Sequence, residues 1–233
     1  MKVGVIIPAL NEEKSLPLVL QALPPVMQVV VVDNGSTDRT ALVAAEGGAT
    51  VISEPRRGYG SAVQAGIRCL AMSPPDVVVV LDADFSDDPT ELERLLTPIR
   101  QAQADLVIGS RTLGQLEQGA LLPQQRFGNW LATRLMAHYY GQHFTDLGPF
   151  RAIRFEELVA LQLQDPDFGW NVEMQIRAIQ KGLRIVEVPV SYRKRVGVSK
   201  ISGTLRGTAL AGHKILTTLY RLRRQGEPTR PLG

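Results

Sequence analysis

The stretch Val77-Val78-Val79-Val80-Leu81-Asp82-Ala83-Asp84 decides the fold. Its five consecutive apolar residues, four of them β-branched, fit a strand buried on both faces, as in parallel sheets covered by helices. The two carboxylates then fall at the carboxyl end of that strand, where open α/β sheets bind their ligands. Similar runs at 3–7, 29–33, 50–53 and 106–108 alternate with helical patterns at 12–22, 38–46, 61–71 and 90–102. With right-handed crossovers this βαβα order predicts an α/β, Rossmann-like, doubly wound and mostly parallel sheet with helices on both faces.

Beyond Arg111 the pattern weakens into a Gly/Gln-rich loop at 113–125, helices near 127–140, 155–161 and 172–181, a strand at 185–192 and a last helix near 205–224. One domain over 1–226 is expected, with a disordered tail at 227–233 that holds Pro228 and Pro231. A chain of 233 residues, 44% hydrophobic and 21% charged, suffices for one large core. Cys69, the single cysteine, lacks a disulfide partner and sits in a helical pattern beside Ile67 and Leu70, which points to core packing in a reducing compartment. No export signal is evident at the N-terminus. Apolar stretches fall short of the roughly 20 residues a spanning helix needs, and the late one is interrupted by Arg206, His213 and Lys214. A soluble or peripheral protein is therefore expected.

The net charge of +3 conceals an asymmetry. Residues 188–226 contain no acid and nine cations, among them Arg193, Lys194, Arg195 and Lys200, so the remainder nets 3 − 9 = −6. Such a basic segment suits a polyanion, whether phospholipid, lipid phosphate or nucleic acid.

Polar residues with chemical potential collect at the strand ends: Pro8, Asn11 and Glu12 after the first, Asp33 to Ser36 after the second, Asp82 and Asp84 after the fourth. The period of two places Asp82 and Asp84 on one side, a pair of hard oxygens suited to Mg²⁺ or Mn²⁺. The competing interpretation is an acidic turn that, with Asp87 and Asp88, caps the helix near Thr90. Asp33 precedes its turn and is placed to accept the ring N–H of a base, whereas Asn11 and Glu12 also fit an ordinary helix start. Gly58-Tyr59-Gly60 fits either close approach of an anion to a helix N-terminus or a tight turn.

Taken in order, IIPALNEE (6–13), VVVVDNGSTD (29–38), GYGSAVQAGI (58–67), VVVLDADFSDDP (78–89), LVIGSR (106–111), DLGPFRAIR (146–154) and VEVPVSYRKRVGVSK (186–200) resemble family 2 glycosyltransferases. The nearest resemblance is to dolichol-phosphate mannose synthases and polyprenyl-phosphate glycosyltransferases. It implies a GT-A fold, a nucleotide-sugar donor, a lipid-linked phosphate acceptor, no nucleic-acid partner, and inversion at the anomeric carbon. It also implies a nucleotide-sugar-binding half at 1–111, an acceptor half at 112–202 and a basic C-terminal helix at 203–226.

Carried over residue by residue, Pro8, Asn11, Glu12, Asp33, Gly58 and Asp82 take nucleotide-contacting positions, and Asp82 and Asp84 the metal pair. Arg111, Arg126, Arg195 and Lys200 fall where the family gathers cations around phosphates, which a guanidinium matches well. Asp146 is the candidate base or acceptor-orienting group, the alternative being a cap or a bond to Arg151. Two departures stand out: Ser86 where mannose synthases have Gln, and Tyr59 where relatives often have Lys. The Gln-x-x-Arg-Trp signature of processive synthases is absent, so a single sugar is expected to move.

Leu205, Ala209, Leu216, Leu219 and Tyr220 recur at helical spacing among cations, which predicts a helix lying on an anionic membrane or, equally, packed on the domain or a second subunit of a homo-oligomer. The expected location is cytoplasmic, at the inner face of the membrane. A sugar-phosphate nucleotidyltransferase would need a Gly-rich, Arg-Lys N-terminal signature that is missing. A non-enzymatic basic membrane module leaves Asp33, Asp82 and Asp84 unexplained.

Overall fold

Seven strands form one sheet, and a computed structural model describes residues 1–197 and 217–223 of the chain. The strands are β1 (Val3–Ala9), β2 (Gln28–Asp33), β3 (Thr50–Ser53), β4 (Val77–Val80), β5 (Leu106–Ser110), β6 (Arg151–Arg154) and β7 (Ile185–Pro189). Their spatial order is β3-β2-β1-β4-β6-β5-β7. All neighbours pair in parallel except β6, which runs antiparallel to both β4 and β5. The expected doubly wound, mostly parallel α/β fold is present.

Strand alternation divides the core in two. Ile6, Val30, Val78, Val80, Ile108 and Ile153 face one layer, while Val5, Ile7, Val31, Val77, Val79 and Ala152 face the other. Helices α1 (Leu16–Ala22), α2 (Thr40–Glu46) and α4 (Leu92–Arg100) cover the second layer through Leu16, Ala44, Leu92 and Leu95. Helices α3 (Tyr59–Leu70), α5 (Pro123–Tyr140), α6 (Phe155–Ala160) and α7 (Trp170–Lys181) cover the first through Val63, Met136, Leu158 and Trp170. Since α1 and α3 lie on opposite faces, the crevice between the carboxyl ends of β1 and β4 is the topological switch point. Cys69 packs against the first layer, as core packing requires.

Several boundaries differ from expectation. Helix α1 starts at Leu16 rather than Glu12 because loop 36–40 claims the preceding N–H groups: Asn11 N–H donates to Ser36 Oγ at 2.9 Å, Glu12 N–H to Thr40 Oγ1 at 2.7 Å, and Glu13 N–H to Asp38 Oδ2 at 3.2 Å. Asn11 itself takes a left-handed φ of 55°. Part of the expected 113–125 loop is the first turn of α5, which opens on Pro123 with the Gln125 side chain accepting the Leu122 N–H at 2.9 Å. Strand β6 was not anticipated. The expected 185–192 strand ends at Pro189, and the chain then runs along the β4 loop, with Asp87 bridged antiparallel to Tyr192 and with Arg193 and Val196 N–H donating to the Ser86 and Asp84 carbonyls, both at 2.9 Å.

Of the last helix, only 217–223 is described, and it is helical. Leu219 and Leu222 are buried in the first layer, Thr218 Oγ1 donates to buried Asp165 Oδ2 at 3.1 Å, and Arg221 pairs with the same oxygen at 3.6 Å. This portion packs on the domain. Lys200, the helix before 217 and the tail at 227–233 lie outside the described residues. Among the described residues no helix is long and apolar enough to cross a membrane.

Burial of Leu219 predicts that Leu219→Ala lowers unfolding free energy by about 2–4 kcal/mol, whereas Tyr220→Ala, at a position 59% exposed, costs about 1 kcal/mol or less. Urea titration distinguishes them, and equal small effects would mean that the helix contributes nothing to the core.

Candidate active site

The crevice between β1 and β4 opens into a cavity of about 330 Å³ lined by Pro8, Glu12, Gly58, Asp82, Asp84 and Arg195 of the sequence-derived set. Asn34, Arg57, Tyr59, Asp167 and Phe168 also line it and were not among the expected contacts. The two halves of the chain therefore share it, since Asp167, Phe168 and Arg195 come from beyond Arg111.

Loops at the carboxyl ends of β1 and β2 interlock to form one wall. Asn11 Oδ1 accepts from Thr37 N–H at 2.7 Å, so this side chain ties two loops together. Asp33 Oδ1 accepts from Ser36 N–H at 3.1 Å. Asn34, which sequence reasoning treated only as a turn former, donates to the Glu54 and Arg56 carbonyls at 2.9 and 2.8 Å and accepts from Gly58 N–H at 2.8 Å, fixing the strand that leads into α3.

Gly58 and Gly60 have a role that neither sequence interpretation held. A Cβ on Gly58 would sit 2.2 Å from the Pro166 carbonyl oxygen, and one on Gly60 would sit 2.0 Å from that of Asp165. Gly58 also takes a φ of 132°, a conformation side-chain-bearing residues rarely adopt. The glycines admit loop 165–168, which locks on through Ser61 N–H donating to Pro166 O at 2.9 Å and carries Asp167 and Phe168 to the cavity. Asp165 Oδ1 accepts Asp167 N–H at 2.9 Å, so the contact with 217–223 supports this wall. The glycine pair signals a close approach in the sequence, but its partner, about 105 residues away, carries no local mark.

Asp82 and Asp84 follow β4 directly. Asp84 is buried: its Oδ1 accepts from Ser86 N–H at 2.9 Å and from the Ser86 hydroxyl, and its Oδ2 meets Arg195 Nη2 at 2.8 Å. Ser86, noted as a departure, thus orients Asp84. Burial, then the adjacent Asp84 carboxylate, push Asp82 up to about 7. Asp87 is also pushed well up by burial and by Asp82, and both its oxygens are buried with no hydrogen-bond partner among the described residues. A divalent cation fits this chemistry: Arg195 already stands in for positive charge on Asp84, and a cation beside Asp82 would favour its ionised form. Asp82 and Asp84 supply only two side chains, and no group of three possible ligating side chains occurs among the described residues. Substrate phosphate oxygens would complete such a shell.

Asp146 is buried and paired with Arg111, not Arg151. Its Oδ2 accepts Arg111 Nε at 2.7 Å and Arg111 N–H at 2.9 Å, and its Oδ1 accepts Arg111 Nη2 at 2.7 Å and Leu147 N–H at 2.8 Å. The turn holding Asp146 is gripped by Glu187 on β7, whose carboxylate accepts Thr145 N–H at 2.9 Å and Asp146 N–H at 3.1 Å, and by Asn129 on α5, which accepts Leu147 N–H at 2.9 Å. Arg111 stacks over Tyr192 at 4.9 Å. Arg151 is fully buried and donates instead to the Gly148 and Asn171 carbonyls, the latter at 3.2 Å; burial lowers it to about 10. Arg126 lies on the exposed face of α5, outside the cavity lining.

A sequence profile described as Glycosyl transferase family 2 matches residues 4–160. An uncharacterised glycosyltransferase of Mycobacterium tuberculosis is 43% identical over 211 residues, covering 90% of this chain and 94% of that one. The undecaprenyl-phosphate mannosyltransferase of Micrococcus luteus is 36% identical over 233 residues, covering 90% and 91%. The crystal structure of glucosyl-3-phosphoglycerate synthase from Mycobacterium tuberculosis with Mn²⁺, UDP and phosphoglyceric acid superposes with a TM-score of 0.76 at 25% identity, covering 100% of this chain and 81% of that one.

The Asp82 shift sets a pH signature. A carboxyl raised to about 7 in the folded state, against about 4 when unfolded, stabilises the fold fully below pH 4, and that contribution is lost as pH rises through 7. In EDTA the thermal midpoint should therefore fall between pH 5 and 8, less steeply in Asp82→Asn. Mn²⁺ should restore it at pH 8 and not at pH 5, because protons compete for the ligand. A wild-type midpoint that ignores both pH and Mn²⁺ would contradict this arrangement.

Proposed function

Because the chain belongs to glycosyl transferase family 2, we propose that it moves one sugar from a nucleotide-diphosphate sugar, of the UDP-glucose or GDP-mannose class, to a polyprenyl phosphate with inversion. The observation that carries this reading is the Asp82–Asp84 pair at the end of β4, facing a donor-sized cavity that Arg195 also lines, with the positive charge of Arg111 felt at Asp82 from outside the lining. The acceptor named for the Micrococcus relative, an undecaprenyl phosphate, supports the lipid side of the assignment.

The nucleotide lies across the wall lined by Pro8, Glu12 and Gly58, with Asp33 assigned to its base from the end of the neighbouring strand β2 and its diphosphate toward Asp82 and Asp84. These two side chains would hold Mg²⁺ or Mn²⁺, which offsets the charge of the departing diphosphate; the Mn²⁺ in the structurally similar synthase supports this choice. An acceptor phosphate oxygen attacks the anomeric carbon on the face opposite the diphosphate; the new C–O bond forms as the old one breaks, and the nucleoside diphosphate leaves. The attacking phosphate is already anionic near pH 7, so no strong base is required. Asp146 suits an orienting role rather than proton abstraction, since both its oxygens are saturated by four donors. It fixes Arg111, whose Nη1 edge is left for a phosphate. Arg126 and Lys200 are assigned to the acceptor side.

Incubating the full chain with Mn²⁺, undecaprenyl phosphate in detergent, and UDP-glucose or GDP-mannose in separate reactions should yield one glycosyl phosphate lipid. Asp82→Asn and Asp84→Asn should each lower kcat by about 100-fold or more with near-UV circular dichroism unchanged. Full activity of these variants, or transfer to 3-phosphoglycerate in preference to the lipid, would refute the assignment.

A further inference from the structure

Helix α5 runs 18 residues from Pro123 to Tyr140 without one acidic side chain. It packs on the domain through Ala132, Thr133 and Met136, and Asn129 fastens it to the Asp146 turn, donating to Thr145 O at 3.1 Å and accepting Leu147 N–H at 2.9 Å. A second face holds Arg126, Phe127, Trp130 and Arg134, within about 100° of arc at 100° per residue, all exposed to solvent. Phe127 and Trp130 are 60% and 52% exposed, their rings in contact at 5.8 Å, and the Arg134 guanidinium lies over the Trp130 ring at 5.9 Å. Two large aromatic rings left in water side by side, on a helix otherwise anchored to the active-site turn, are a surface without its partner.

We propose that this face of α5 is the membrane-docking surface, and that its partner is an anionic lipid bilayer. The inference rests on the polyprenyl-phosphate reading above and extends it to the source of the acceptor. Indole and phenyl rings favour the headgroup boundary of a bilayer, and arginines beside them meet lipid phosphates. The absence of any acid along α5 matches that partner's charge and disfavours a cationic one. The position of the helix matters as much as its composition: Asn129 touches the turn that carries Asp146 and, through it, Arg111, so a bilayer seated on α5 presents its lipid phosphates on the acceptor side. Of the residues expected to make this contact from the C-terminus, Leu219 is turned into the core and Tyr220 is exposed, the others lying outside the described residues.

The sequence contains two tryptophans, and Trp170 is fully buried. Emission from the full-length protein can therefore report Trp130 directly. Vesicles of phosphatidylglycerol with brominated acyl chains, free of acceptor and donor, should blue-shift and quench the emission, and Trp130→Phe should remove both effects. Phe127→Ala/Trp130→Ala should weaken vesicle sedimentation about tenfold or more, and Arg134→Gln should flatten its salt dependence, with nucleotide binding unchanged as the folding control. If the double variant binds vesicles as wild type does, or if light scattering shows that the face instead joins two copies of the chain, the inference is overturned. Vesicle binding without sugar transfer would refute only the proposed reaction, whereas transfer to detergent-solubilised lipid with unaltered vesicle binding by the double variant would refute only the docking surface.

Discussion

Crowding of carboxylates at the carboxyl end of β4 is the constraint from which the rest of the site follows. Asp84 and Asp146 are buried, Asp87 has both oxygens buried, and Asp82 lies close enough to feel Asp84. Charges of one sign in a low-dielectric setting are costly unless paired or protonated. The chain resolves this in two ways. Arg195 and Arg111 form close pairs with Asp84 and Asp146, while Asp82 and Asp87 remain raised above the ordinary carboxylate range. What results is a site where two carboxyls are held above the ordinary carboxylate range beside two that are paired with arginine.

Antiparallel β6 connects this chemistry to the fold. By inserting between β4 and β5 it delivers the preceding Asp146 turn next to Arg111 at the end of β5. Glu187 on β7 and Asn129 on α5 then grip that turn from two further elements. Loop 165–168, supported by Asp165 and the 217–223 helix, closes the cavity from the other side. A boundary at Arg111 thus describes chain order better than division of labour, because the cavity walls come from both sides of it.

The βαβα half was legible because its strands are continuous β-branched runs and its reactive residues stand at their ends. Strand β6 was not, since Arg-Ala-Ile-Arg carries a cation at each end, and nothing local indicates that Arg151 will be fully buried among carbonyls. The start of α5 was hidden by glycines and glutamines around Pro123. The partner of Asp146 was not legible, since local sequence offered only Arg151 as an alternative and Arg111 lies 35 residues away. The helical spacing expected near 205–224 serves a membrane or a core equally well, and over 217–223, the part described, Leu219 and Leu222 turn to the core.

If Asp82 and Asp84 form a cation site that a nucleoside diphosphate completes, calorimetric titration will reveal the coupling. Binding of UDP or GDP to the full chain should be about tenfold tighter or more in Mn²⁺ than in EDTA, as expected where the cation supplies a coupling of about 1.4 kcal/mol or more, and Asp84→Asn should erase that gain while leaving the EDTA affinity unchanged. An equal Kd in Mn²⁺ and EDTA, with the preferred nucleotide tightly bound in both, would rule out a cation bridge between the carboxylates and the diphosphate.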